Sequence, residues 1–121
     1  MASTEPLKPR PGDVWLTACG GARVGEPGKT RPAVVLSVQD PLHDSVYDLV
    51  IVAPISAGMP PAAVRPPVAA TPDTGLAVDS VIVVRAIRGM SRTRLVRRLG
   101  AVDAATLTNV QEILAALLDL P

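Results

Sequence analysis

Arg31 lies in the segment Gly25-Glu26-Pro27-Gly28-Lys29-Thr30-Arg31-Pro32-Ala33-Val34-Val35-Leu36, and its neighbours define what it can do. A loop rich in Gly and Pro carries a carboxylate, an ammonium and a guanidinium, then runs straight into an apolar strand. The proline after Arg31 restricts the local backbone. A guanidinium held at a strand entrance is placed for the planar oxygens of a phosphate. At the end of a second apolar run, Ala53-Pro54-Ile55-Ser56, the hydroxyl of Ser56 can donate to a phosphate oxygen. Glu26 completes the set as a group able to accept a proton. A structural ion pair between Arg31 and Glu26 is the competing reading, and Ser56 taken alone reads first as a strand-ending turn residue.

Several standard catalytic sets are excluded. Gly-Glu-Pro-Gly-Lys-Thr contains the Gly-Lys-Thr of a phosphate loop. It lacks the four-residue spacer between glycines, and Pro32 forbids the helix that must follow. The single histidine, His43, stands between Asp40 and Asp44 in a turn and reads as a surface residue. Cys19 has no partner for an internal disulfide, which suits a reducing cytosol, and no His or Cys set recruits it for catalysis. No His/Cys/Asp cluster has metal-ligand spacing, so no metal site or cofactor is expected. One substrate makes Arg31, Ser56 and Glu26 sufficient. RNA carries its own nucleophile, the 2′-OH beside each phosphodiester, so the protein need only hold the bond in line and neutralise the pentacovalent phosphate. Without histidine, general acid–base chemistry is the weakest part of the set, because arginine is a poor base.

Charge distribution points the same way. The formal net charge is only +1, yet no acidic residue falls between Ser80 and Val102, where Arg85, Arg88, Arg92, Arg94, Arg97 and Arg98 lie. Half of the 12 basic residues are therefore in one segment, all of them the residue that pairs phosphate bidentately. A solvated face, or a surface for an acidic protein, is the alternative. Lys29, Thr30, Arg23, Arg85 and Arg88 are the candidate RNA contacts; the remaining arginines supply a field that speeds encounter. Aromatics are 2% of the chain, Trp15 and Tyr47, which argues against stacking platforms for bases and leaves the core to Val, Leu, Ile and Ala. No apolar run is long enough to span a bilayer.

The elements that must position these residues are short. Residues 1–11 contain three prolines and read as a flexible lead-in; residues 12–121 read as one domain. Strands are expected at 13–18, 33–38, 48–55, 80–87 and 95–102, with a minor piece at 63–65 and one helical turn at 91–94. A long, mobile loop should run from Gly20 to Pro32, and Pro54 should mark an end or edge of its strand. Short strands between turn clusters argue for a small barrel or a highly curved sheet. Asp103 can cap a helix whose apolar residues fall at Leu107, Val110, Leu114, Leu117 and Leu118, which predicts an amphipathic helix with a core face of Leu107, Val110, Leu114 and Leu117. The fold class is thus mainly β with a C-terminal α-helix.

The blocks Arg10-Pro11-Gly12-Asp13-Val14-Trp15, Gly25-Glu26, Lys29-Thr30-Arg31-Pro32-Ala33-Val34-Val35 and Pro54-Ile55-Ser56 resemble, in order, those of the MazF/PemK toxins. Gly75-Leu76, Asp79-Ser80-Val81, Arg94-Leu95 and Leu99-Gly100 continue the resemblance, which spans residues 10–120. It implies an SH3-like small β-barrel of the CcdB/PemK type, assembled as a homodimer. It also implies a cytoplasmic endoribonuclease that cuts single-stranded RNA without metal, leaving 2′,3′-cyclic phosphate and 5′-OH ends, and that is inhibited by a MazE-like antitoxin. Arg31 falls on the family's catalytic arginine, Ser56 on its catalytic threonine, and Glu26 on an acidic position that matters in some members. Ala86 stands where many relatives carry a glutamine that contacts RNA, so cleavage preference does not transfer. Two other functions remain in view: a gyrase-directed poison of the same fold, which would not need Arg31 with Ser56, and a non-catalytic SH3-like nucleic-acid-binding module.

Overall fold

The computed structural model describes residues 8–18, 29–38 and 48–121. Cys19, Arg23, Glu26, His43, Tyr47, the lead-in up to residue 7 and most of the expected loop from Gly20 lie outside them.

Among the described residues, seven strands form one curled sheet. They are β1 (Asp13–Ala18), β2 (Thr30–Val35), β3 (Leu49–Ser56), β4 (Pro67–Val68), β5 (Ser80–Ile82), β6 (Arg88–Ser91) and β7 (Leu95–Ala101), and the helix α1 (Ala104–Leu117) follows. The order across the sheet is β4-β5-β3-β2-β1-β7, with β6 also paired to β3, and every pairing is antiparallel. This half-barrel with a C-terminal helix is the mainly β class expected from the sequence.

Alternation along the central strands splits the core between the two faces. Val14, Val34, Ala53 and Ile55 join Val68, Ile82, Val84 and the helix residue Val110 in one cluster. Trp15, Ala33, Val35, Val50, Val52 and Met90 form the other. Continuous apolar runs suit strands covered on both sides, and Ala33, Val34 and Val35 are all buried. Trp15 is a core residue, with its Nε1–H donating to Asp13 Oδ2 at 3.4 Å.

Five expectations need correction. First, β2 begins at Thr30 rather than after Pro32, because Thr30 and Arg31 already pair with Ala18 and Thr17 of β1. Second, Pro54 does not end β3. Its carbonyl accepts from Val83 N–H, so its missing N–H faces the gap where β3 exchanges β6 for β5 as neighbour. Third, the run 80–87 is not one strand. A 3₁₀ turn at Val84–Ala86 separates β5 from β6, and it shifts the register so that Arg88, not Arg85, faces Val52. An apolar run does not reveal an insertion of this kind, since Val84 stays buried through it. The minor piece at 63–65 is likewise a turn closed by an Ala62–Arg65 bridge, and the strand there is β4.

The helix is capped as expected. Asp103 Oδ1 accepts from Thr106 N–H at 2.7 Å, and hydrogen bonds from Thr106, side chain first and backbone second, hold the carboxyl below the usual carboxylate range. Val110 is fully buried, with Ile113 and Leu114 packed against its cluster. The last correction concerns Leu117, which is 39% exposed, with Leu118 and Leu120 exposed after it, because the last turn runs past the packed cluster.

Candidate active site

The ladder between β2 and β3 runs from Val35↔Val52 to Ala33↔Pro54 and stops. Its end has a local cause. Since the Pro54 carbonyl points away from β2, towards Val83, the next backbone groups of β3 to face β2 belong to Ile55. Their partner in this register is Pro32, which has no N–H to give. The pairing of the two strands stops there, and Arg31 and Ser56, each two residues beyond Ala33↔Pro54 along its own strand, line one cavity. Both lie on the face that carries Ala33 and Pro54, because side chains repeat every second residue.

The opening is a cavity of about 440 Å³. One wall is Lys29, Thr30, Arg31 and Pro32; a second is Ile55, Ser56 and Ala57; the third is Leu76, Ala77, Val78 and Ser80. Arg31 is exposed, and its backbone is held by Thr17, whose Oγ1 donates to the Arg31 carbonyl at 2.9 Å. Ser56 Oγ accepts from Gly58 N–H at 3.2 Å, which orients the oxygen and leaves its O–H to donate. The cavity thus combines a guanidinium carried on a held backbone, an ammonium, and hydroxyls from Thr30 and Ser56. Such a set binds a phosphate and neutralises charge that grows on it.

The third wall was not singled out as part of the site by sequence reasoning. It is built by the turn at residues 71–75. Buried Thr74 donates through Oγ1 to the Ala69 carbonyl at 2.8 Å, and Ala101 N–H donates to the Asp73 carbonyl at 2.8 Å, tying the turn to β7. Gly75, with φ of 71°, and Gly100 permit the close approach: a Cβ would meet Leu99 O at 2.0 Å and Asp73 O at 2.1 Å respectively. Gly75, which follows the Thr71-Pro72-Asp73-Thr74 turn, was the available local signal.

Of the other candidate residues, Arg85 lies in the 3₁₀ turn and Arg88 on β6, both exposed and neither lining the cavity. The acid-free arginine segment also finds carboxylates from elsewhere: Arg92 pairs with Asp48 at 3.5 Å and Arg98 with Asp13 at 3.3 Å. Glu26 and Arg23 lie outside the described residues. Among the described residues no group of His, Cys, Asp or Glu could hold a metal ion, and no helix is long and apolar enough to cross a membrane.

Comparison with known proteins shows the family. Residues 10–118 match the family model of the PemK-like, MazF-like toxin of type II toxin–antitoxin systems. The endoribonuclease MazF9 of Mycobacterium tuberculosis is 31% identical over 115 residues, covering 92% of this chain and 97% of the relative. The endoribonuclease MazF6 of the same species is 32% identical over 109 residues, covering 89% and 95%. Among solved structures, MazF in the MazE–MazF complex of Deinococcus radiodurans superimposes with a TM-score of 0.67 at 25% identity, covering 94% of this chain and 98% of that one. With the family model spanning nearly its whole length, the chain belongs to the PemK-like, MazF-like toxins of type II toxin–antitoxin systems.

Proposed function

We propose that this chain is a cytoplasmic endoribonuclease toxin that cuts single-stranded RNA and so inhibits translation. The observation that supports the reading is that Arg31 and Ser56 line one cavity beyond the end of the β2–β3 ladder. With a phosphodiester in the cavity, the 2′-OH of the preceding ribose attacks phosphorus. The 2′-O–P bond forms, the P–O5′ bond breaks, and the products are a 2′,3′-cyclic phosphate and a 5′-OH. One proton leaves the 2′-OH and one must reach the departing O5′. Arg31 binds the non-bridging oxygens and offsets the charge of the phosphorane, while Ser56 donates to one of them. Glu26, whose position the described residues do not include, is assigned the proton from the 2′-OH. Lys29, Thr30 and Arg23 hold flanking phosphates, and Arg85 and Arg88 extend the basic surface.

The chain acts as a homodimer whose partner in the cell is a MazE-like antitoxin. An acidic, initially disordered segment is the natural inhibitor of a basic groove. Inhibition weakens as salt is raised; an inhibition constant unchanged from low to high salt would count against electrostatic occlusion.

The test is incubation of the purified chain with mixed RNA in a metal chelator, with the new 5′ ends mapped. Cleavage by the wild type is expected, and loss of one donor to the phosphorane, as in Ser56→Ala, should lower the rate about 10²-fold. Ser56→Thr should keep it. Intact RNA with the wild type sinks the reading, and equal cleavage by Arg31→Ala sinks the site assignment. Trapping of gyrase, or gel shifts of intact RNA, would favour the two rival functions.

A further inference from the structure

A second cavity, of about 430 Å³, opens beside the first and shares Ala57 and Ser80 with it. Its walls are Met59, Pro61, Pro67, Val68, Ala69 and Val81, and its single charged residue is Asp79. We propose that this cavity is a base-reading subsite of the RNA-cleaving site, in which Asp79 selects a nucleotide with an exocyclic amino group next to the cut bond. The inference rests on the RNA-cleaving function proposed above.

Continuity argues for the occupant. Ala57 directly follows Ser56, so a strand whose phosphodiester meets Ser56 places its neighbouring nucleotide at the mouth of the second cavity. Phosphate is the wrong occupant, because the one charge there is negative. A base is the right one: specific RNA recognition draws unstacked bases into pockets and reads their edges. Proline, valine and methionine side chains cover its flat faces where aromatic residues are absent.

Asp79 is built to read rather than to float. Its Oδ1 accepts from Ala70 N–H at 2.8 Å, which fixes the carboxylate and leaves Oδ2 for a ligand. An ionised carboxylate only accepts hydrogen bonds. It therefore favours the amino groups of cytosine, adenine or guanine, as acidic side chains do towards the cytosine amino group in duplex DNA. Uracil has no amino group, and its one edge donor, N3–H, is flanked by two carbonyl oxygens that an ionised carboxylate disfavours, so it is the weakest ligand of the four.

The experiment compares the cleavage sites of wild type and Asp79→Asn in a mixed RNA pool by mapping 5′ ends. The wild type should deplete uracil about tenfold or more at one position adjoining the cut. Asp79→Asn keeps the acceptor for Ala70 N–H but adds an amide donor, and should admit uracil at that position to within about twofold of the other bases. Ala69→Leu, which fills the cavity from an exposed position, should lower cleavage most at sites the wild type prefers. If the wild type cuts RNA but shows no uracil depletion beside the cut, or Asp79→Asn retains it, the base pocket is wrong and the nuclease stands. If the wild type leaves all RNA intact, the nuclease reading falls and the pocket falls with it.

Discussion

Thr17 is 1% exposed, and its hydroxyl donates a 2.9 Å hydrogen bond to the carbonyl oxygen of Arg31, the residue it faces across β1 and β2. A buried residue thereby holds the backbone of the guanidinium that is proposed to bind the phosphate. Thr17→Val keeps the shape and removes the donor. It should cost about 1 kcal/mol in stability and lower the cleavage rate by more than that loss accounts for, because a misplaced guanidinium binds the phosphorane less well. Denaturant unfolding alongside single-turnover cleavage of one RNA checks both. Unchanged cleavage in a folded variant would mean that Arg31 is placed by other contacts.

Pro32 is the reason the sheet opens at the site. Pro32→Ala restores an N–H opposite Ile55, so the β2–β3 ladder should extend by one pair and draw Arg31 towards Ser56. Stability should move by no more than about 1 kcal/mol, since the added hydrogen bond offsets the lost rigidity of proline in the unfolded chain. Cleavage should fall as the gap narrows. Hydrogen exchange of the residue-32 amide in the variant reports whether the new bond forms.

Gly100 holds the third wall in place. Gly100→Ala brings a methyl to 2.1 Å from Asp73 O and 2.8 Å from Thr74 O, so the turn at residues 71–75 must move. The loss should be about 1–3 kcal/mol, with the Leu76–Ser80 wall displaced and cleavage reduced. Gly89→Ala, at a position where a Cβ meets nothing within 4 Å, is the control.

Asp103 gives the fold an acid-sensitive cap. Hydrogen bonds from Thr106 lower its carboxyl in the folded state relative to the unfolded chain. The stabilisation is therefore complete above the unfolded value of about 4 and is lost as pH falls through the lower folded value. Thermal midpoints of wild type and Asp103→Ala should differ near neutrality and converge in acid. A gap that persists at low pH would assign the cap's effect to something other than the ionised carboxylate.

Asp13 joins two ends of the molecule. Its carboxylate is largely buried, accepts from Arg10 N–H at 2.9 Å and from Trp15 Nε1–H, and pairs with Arg98. The half-exposed ion pair contributes little, whereas Asp13→Ala strands the two N–H donors and should cost about 1–3 kcal/mol. Arg98→Ala should cost less than 1 kcal/mol. Reversal of that order in denaturant unfolding would place the stability in the ion pair.

The sequence by itself determined the elements whose signals are local. The strand signals of Asp13–Ala18, the apolar run at residues 33–35, the cap and spacing of Ala104–Leu117, and a strand-entrance arginine and a strand-end serine taken one at a time were all legible there. Each depends on residues within a turn or two of one another. Tertiary structure alone decided where β3 exchanges one neighbour for another, and so why residues 80–87 break at Val84 and why Arg88 takes the place facing Val52. It also decided that a turn at residues 71–75, docked on β7 through two glycines, supplies the site's third wall. Those outcomes are set by register between distant segments, and register is a property of the pair that neither strand carries alone.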